Sequence, residues 1–399
     1  NSFNHKHNLS ITGGSEKIAS RASIGITEEK GEARGNEGKT FTGSSNTVLQ
    51  LIPNLRISLN LNGSYREMFG FAYEVSPFNY AYNTARTIPL YNEDGTLYYH
   101  EKWGNSSTAI SGKSWYGYNI LNEIENSSNE YDGNTIGAML DVKITPFTGL
   151  DISISGNYNR SGTLQEQWWG EKTNYVARWK NSEYEELPMT GTVGSCYLPY
   201  GGILKTTNSI TEGYTFRTQV DYRKLFGENQ QHMMMLMGGF ELNGNTTRQI
   251  SDENRGFVKD RGLQFIDELQ NLDDYPKYKE WLNQNHRSIG HGISHQISGY
   301  FVLSYSYRNH FTLNVNGRFD ASNKFGSRSN ERFLPVWSVS GMWNIQETFL
   351  KEASWLSEMR LRMSYGMQGN MLDGQTPNML ITQQPINSYY NENVSNVYQ

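Results

Sequence analysis

The chain has 399 residues, enough for one large β domain or two or three ordinary ones, and a net charge of only −5. Its 36% apolar and 19% charged residues leave a large share of uncharged polar residues and Gly, with 13% aromatics led by 26 Tyr. The absence of a basic stripe excludes nucleic acid as a partner, the lone Cys196 excludes an intrachain disulfide, and no apolar run approaches the ~18 residues of a membrane helix.

Composition alone fits equally a water-filled membrane barrel and a Tyr- and Gly-rich secreted β protein such as a lectin-like sandwich. The order of elements separates them. A first hairpin spans His7 to Ile26 and turns at residues 13–17, and a polar, Gly-rich segment covers 28–40. Strands over 41–51 and 55–66 meet across Ile52-Pro53-Asn54, where Pro removes no ladder donor. After the long segment 67–134, strands over 135–145 and 150–160 are joined by Pro146-Phe147-Thr148-Gly149. The long segment 161–212 leads to strands over 213–224 and 232–243, joined across Gly227-Glu228-Asn229. The long segment 244–294 leads to strands over 295–307 and 311–320, turning at Arg308-Asn309-His310. A strand over 333–344, a link over 345–358 with a short amphipathic pattern (Phe349, Leu350, Trp355, Leu356), and a strand over 359–369 complete the series. The tail, 370–399, is polar and loop-like.

These are about 12 strands, and most alternate apolar with polar residues. Phe311, Leu313, Val315, Gly317 and Phe319 share one face of a strand; Thr312, Asn314, Asn316 and Arg318 share the other. Short and long links also alternate, so the two ends of the structure differ. The pattern predicts an all-β, transmembrane antiparallel barrel with short turns toward the periplasm and loops 67–134, 161–212 and 244–294 outside. Tyr65, Tyr158, Tyr222, Tyr305, Phe311, Trp343 and Tyr365 fall near strand ends, where an aromatic girdle would sit. Within the long loops, residues 261–286 read as helix (Leu263, Phe265, Ile266, Leu269, Leu272) until Pro276 breaks the pattern. Residues 89–97 read as a hairpin with its turn at Asp94-Gly95.

No enzyme is expected. There is no nucleophile elbow, Walker loop or dinucleotide fingerprint, and carboxylate runs such as Glu185-Glu186 and Asp273-Asp274 suit solvated loop. No metal or other cofactor is expected: His5 and His7 share a strand face without a third ligand, and His291 and His295 lie among glycines. The candidate ligand contacts are the loop tryptophans Trp103, Trp115, Trp168, Trp169 and Trp179, whose rings can stack on a sugar or stiffen the loops. In extended chain, neighbours point opposite ways, so one of Trp168 and Trp169 can pack while the other meets ligand. Strand parity places Asp141, Lys143, Arg217, Asp221, Arg360 and Arg362 in the lumen, with both charge signs and no single ionic class.

Several ordered motifs resemble one family. Gly317-Arg318-Phe319-Asp320-Ala321-Ser322-Asn323-Lys324-Phe325-Gly326 is followed by Arg332-Phe333-Leu334-Pro335, Ser338-Val339-Ser340-Gly341-Met342-Trp343 and Glu347-Thr348-Phe349-Leu350. Leu361-Arg362-Met363-Ser364-Tyr365-Gly366-Met367-Gln368-Gly369-Asn370 closes the set, and residues 7–17 are similar to a first barrel hairpin. Together they resemble the SusC/RagA family of TonB-linked outer-membrane transporters. Ala321 stands where the family usually has Gly, and Leu334 where an aromatic is common. The resemblance implies a barrel of about 22 strands, an N-terminal plug, a SusD-like lipoprotein partner, and import of an oligosaccharide or peptide driven by the TonB complex across the outer membrane of a Gram-negative bacterium. It covers the first half of such a barrel without the plug domain or the last strands, which predicts a segment of a longer protein. The alternatives are a passive porin or surface-binding barrel, and a soluble carbohydrate-binding β protein.

Overall fold

Twelve strands pair in chain order, each antiparallel to the last. The computed structural model describes residues 2–103, 115–182, 196–266, 272–284, 286–308, 310–323, 334–351, 355–369, 380–383 and 395–398. The carboxylate run Glu185-Glu186, Leu269 and positions 324–333 of the family-like motif lie outside the described residues. The sheet begins with β1 (Phe3–Gly14), β2 (Ile18–Lys30), β3 (Glu37–Ile52) and β4 (Leu55–Gly70). The next link carries helix α1 (Pro77–Asn83), a separate hairpin of β5 (His100–Trp103) and β6 (Trp115–Tyr118), and α2 (Ile120–Glu125). β7 (Ser127–Phe147) and β8 (Leu150–Trp169) follow, then α3 (Asn174–Lys180), β9 (Gly202–Phe226) and β10 (His232–Val258). A short β11 (Gln264–Phe265) adds to the end of β10, and α4 (Pro276–Leu282) precedes β12 (Ser288–Tyr307). β13 (Phe311–Ser322), β14 (Leu334–Asn344), α5 (Ile345–Phe349) and β15 (Arg360–Met367) complete the sheet.

Register turns the sequence alternation into two chemically distinct faces. Leu242, Phe216, Ile297, Phe301, Leu313 and Leu140 lie on one face and stand exposed or nearly so. Their polar neighbours lie on the other. An exposed apolar surface this wide is untenable in water and fits hydrocarbon.

Aromatic residues bound the band in two rows. At the short-turn end Phe226, His232, Tyr307, Phe311 and Trp343 are successive register partners on five strands. Phe226 stacks on His232 at 5.0 Å, His232 lies 4.9 Å from Tyr307, and Phe311 stacks on Trp343 at 5.9 Å. At the other end Tyr158 pairs with Tyr214, whose hydroxyl meets His295 Nδ1 at 3.2 Å. From Tyr214 to Phe226 is about 40 Å along the strand, or about 28 Å across a bilayer at barrel tilt. That matches the hydrocarbon thickness. Tyr365 falls inside the band, against Trp337, instead of at its edge.

The strands run well past this band. β10 has 27 residues, about 90 Å of extended chain, where about 10 suffice to span. Strand pairing therefore occupies 67–70, 127–134, 161–169, 202–212, 244–258 and 288–294, and the segment 28–40 shrinks to a turn at 31–36. Beyond the band neither face is held against hydrocarbon, so alternation fades from the sequence although the ladder continues.

Two further differences have local causes. Residues 261–286 do not form one helix. Gly262 (φ +83) and Leu263 (φ +60) turn the chain left-handed, and Phe265 then pairs with Phe257, their rings 5.1 Å apart. Pro276 starts α4 instead of ending a helix, since its fixed φ suits a first helical position. In the tail, β16 (Leu380–Gln383) pairs with β17 (Ser395–Tyr398), so that segment is not all loop.

Candidate functional site at the mouth and along the polar face

The main buried cluster lies at the long-link end, against the last residues of β8 and the first of β9. Ala72, Val75, Tyr118, Ile120, Trp169, Val176, Leu198 and Ile203 pack together from the link after β4 and the link after β8. Polar groups lock the two links. Glu123 is buried, and its carboxylate accepts from the Asn174 backbone N–H at 2.9 Å and from Asn122 Nδ2 at 3.2 Å. It thereby meets the start of α3, which Thr173 also caps. Burial pushes the Glu123 pKa up to about 7 against the hydrogen bonds from Asn174 and Asn122. Asn119 caps α2 and donates to the carbonyls of Leu90 and Tyr98, at 2.9 and 2.8 Å. That pins the hairpin at residues 89–97, whose Tyr91 bridges Leu97 and whose Gly95 has φ +85.

A second lock joins the link after β8 to the link after β10. Arg255 sits at a β-bulge beside Gly256 (φ +83) and is buried. Its guanidinium lies 4.6 Å from the Trp179 ring centre and 4.4 Å from that of Trp281. It donates to the Tyr197 carbonyl at 2.8 Å and pairs with Glu253 at 3.3 Å. Trp281 stacks in turn on His286 at 3.9 Å. A guanidinium between two indoles, shielded from water, is among the stronger cation–π arrangements.

The candidate tryptophans thus have separate fates. Trp169 is buried, stacks on Tyr175 at 4.7 Å and donates to the Tyr73 carbonyl at 3.2 Å. Trp179 packs on Arg255 and Tyr197. Trp168 is only partly covered, with Lys259 Nζ 4.4 Å over its ring. The backbones of Trp103 and Trp115 are paired in the β5–β6 hairpin. Cys196 is fully buried, and burial pushes its thiol up to about 11. Nearby, a cleft of about 230 Å³ is lined by Glu74, Ser76, Asn79, Tyr80, His100 and Lys102, with Tyr118 behind them. Glu74 is held by Arg178. The cleft offers donors, acceptors and aromatic walls together.

On the polar face the predicted charged residues fall into separate groups. Lys143 pairs with Asp151 at 3.0 Å. Arg217 Nε donates to Glu241 at 2.7 Å, and Gln219 Nε2 donates to Asp221 at 2.9 Å. Tyr300 donates to Gln219 at 3.0 Å; its ring lies over Gly239 and leaves no room for a Cβ there. Arg318 Nε and Ser298 Oγ both bind Asp320, at 2.8 and 2.5 Å. Arg360 pairs with Glu358 at 2.7 Å, five strands from the Arg217 group. Asp141 lies on β7 and Arg362 on β15. Sequence reading named Arg217 and Asp221 without their partners Glu241 and Gln219. The signal was present: register places Glu241 opposite Arg217.

No family model matches the chain. It is 23% identical to the TonB-dependent receptor P26 of Formosa agariphila over 364 residues, 91% of this chain and 32% of that protein. It is also 23% identical to the TonB-dependent receptor SusC of Bacteroides thetaiotaomicron over 388 residues, 91% of this chain and 33% of that protein. The structure of the RagAB peptide importer in its open-open state matches with a TM-score of 0.71 at 20% identity, covering 98% of this chain and 39% of that one. The chain thus resembles a stretch of barrel wall of SusC/RagA-like TonB-dependent receptors. Such a wall belongs to the outer membrane, and its apolar band fits hydrocarbon. The chain spans about a third of the length of the curated relatives it matches.

Proposed function

We propose that this chain forms wall and mouth of an importer that carries a bulky polar nutrient, an oligosaccharide or peptide, into the periplasm. A SusD-like surface lipoprotein captures the nutrient over the mouth, and the TonB complex supplies the energy through a plug. The observation that carries this reading is the likeness, over 91% of the chain, to proteins named as TonB-dependent receptors. The physical features support it. The polar face has the mixed, hydrogen-bonded surface of a lumen, where Asp141, Lys143, Arg217, Asp221, Arg360 and Arg362 meet water and passing ligand. Loops 67–134, 161–212 and 244–294 face outside; their locked links form a firm rim on which a lid can seat. Trp168 and the polar cleft beside Tyr80 are the described groups best suited to touch a sugar or peptide there, with Trp103 and Trp115 on the neighbouring hairpin; Trp169 and Trp179 hold the rim. The chain acts by transport and binding, not catalysis.

The test uses the full-length protein in its own cells. Uptake of a fluorescent oligosaccharide or peptide library is compared with and without TonB and the partner lipoprotein. Loss of uptake in both deletions is expected. Uptake that survives TonB loss, together with open-channel conductance of the purified protein, overturns the reading in favour of a passive porin.

A further inference from the structure

The small cleft beside Tyr80 holds a cation without a counter-anion. His100 and Lys102 stand two apart on β5, so strand parity puts both on one face. His100 is the register partner of Tyr118, and their rings meet edge-on at 5.6 Å. Tyr80 of α1 closes on the same pair, 6.0 Å from His100 and 5.9 Å from Tyr118. Three rings thus wall the cleft, and Lys102 Nζ lies 3.9 Å over the Tyr118 ring. The carboxylates whose charge reaches Lys102 are committed elsewhere. Glu74, the acid among the lining residues, is neutralised by Arg178; it sits on left-handed backbone (φ +70), which a non-Gly residue adopts at a cost. Buried Glu123 accepts from Asn174 and Asn122. Among the described residues no carboxylate pairs with Lys102. Lys102 is open to solvent, yet loss of water around its ammonium, then the Arg178 guanidinium, holds it below the ordinary lysine range. An anion placed there would oppose both effects. His100 Nδ1 is buried and also lacks a hydrogen-bond partner among the described residues.

We propose that this cleft is a subsite for a carboxylate-bearing end group of the nutrient, a terminal uronic acid or a peptide C-terminus, with the carboxylate on Lys102 and the rest of the group against Tyr80 and Tyr118. Size selects an end group. The cleft holds about 230 Å³, less than the roughly 300 Å³ at which pockets begin to enclose a whole small molecule. Charge selects a carboxylate. Lysine binds as a point charge, and one ammonium suits one negative charge, whereas a phosphate dianion calls for an Arg cluster. A carboxylate is the singly charged group that glycans and peptides both carry at chain ends. The tyrosine rings offer apolar faces to a sugar ring or to the last side chain, and Asn79 and Asn83 of α1 offer neutral amides on the opposite wall. This names a group on the nutrient and so rests on the import reading.

The test is binding to the full-length protein in detergent, titrated by saturation-transfer NMR with two pairs of probes. One pair is methyl galacturonoside and methyl galactoside; the other is N-acetyl-alanyl-alanine and its C-terminal amide. At least one acid is expected to bind about tenfold more tightly than its neutral partner, as one charge-assisted hydrogen bond provides. An advantage for the sugar acid assigns the end group to a glycan, one for the peptide acid to a peptide, and one for both to a site that reads the carboxylate itself. Lys102→Gln should remove the acid's advantage and leave the neutral probe unchanged. Equal binding of acid and neutral probes, no binding of either acid, or an advantage that survives in Lys102→Gln overturns the subsite. Should Lys102→Gln not fold, Asn83→Asp, at an exposed position on the α1 wall, puts a like charge at the cleft and should weaken the acids but not the neutral probes. Unchanged acid affinity then overturns the proposal. TonB and the partner lipoprotein take no part in this measurement, so a negative result strikes the subsite and leaves the import reading to its own uptake test.

Discussion

The wall and the mouth of this molecule are held by opposite means. In the wall the strands are fixed by ladder hydrogen bonds, and the apolar side chains stand exposed on one face. The mouth has a true core of aromatic and aliphatic side chains, crossed by two buried charged groups, Glu123 and Arg255. A charge in the wall lies on the polar face, opposite the apolar band. In the mouth, Glu123 accepts hydrogen bonds from Asn174 and Asn122, and Arg255 pairs with Glu253 and lies against two indoles.

This contrast makes the two regions respond differently to substitution. Val220 lies midway between Tyr214 and Phe226 on β9, on the lipid face. Val220→Arg should cost the full-length protein about 2–4 kcal/mol in urea titrations with bilayer vesicles, while Asn157→Arg on the polar face should change stability by less than about 0.5 kcal/mol. Equal effects at the two positions would break the assignment of faces. In the mouth, Arg255→Ala leaves two indoles without their shared cation and should weaken the joint between links by about 2 kcal/mol. Hydrogen exchange should speed up in 170–182 and 272–284 and stay unchanged in β12 and β13. Arg255→Lys should not restore protection, because a point charge cannot stack on two rings.

Glu123 gives a pH signature confined to the mouth. Its folded pKa, about 7, lies above its ordinary value of 4.5, so folding favours the protonated carboxyl. The stability it contributes is complete below about 4.5 and is lost as pH rises through about 7. Glu123→Gln should flatten the pH dependence of exchange in α2 and α3 across that window; an unaltered slope would assign the dependence elsewhere. The smallest effect is expected on the polar face. Lys143 and its partner Asp151 are both well exposed, and Lys143→Gln should change stability by no more than about 1 kcal/mol, measured in the same urea titration.

The two regions were also unequally legible. Strand count, order and face came through because hydrocarbon on one side and water on the other write a period of two, as in residues 311–319. Strand ends did not, because 246–254 is polar at almost every position and carries no such period. The mouth was legible only in pieces. The hairpin at 89–97 announced itself by Asp94-Gly95, but nothing local to Arg255 points to Trp179 and Trp281, which reach it from two different links. The helical spacing of Leu263, Phe265 and Ile266 was defeated by left-handed backbone at Gly262 and Leu263. Among the loop tryptophans, the sequence set Trp168 and Trp169 apart as a pair of which one packs and one can meet ligand, but only packing shows that Trp169 is the buried one and Trp168 the partly open one.

The central claim is that the wall crosses the outer membrane with its locked links outside and its short turns in the periplasm. Cysteine labelling of the full-length protein on intact cells with a membrane-impermeant maleimide tests it most directly. Glu93→Cys, in the pinned hairpin, should label on intact cells, and Glu228→Cys, in the turn between β9 and β10, only after the outer membrane is permeabilised. Labelling of Glu228→Cys but not Glu93→Cys on intact cells, or of both, would contradict the account.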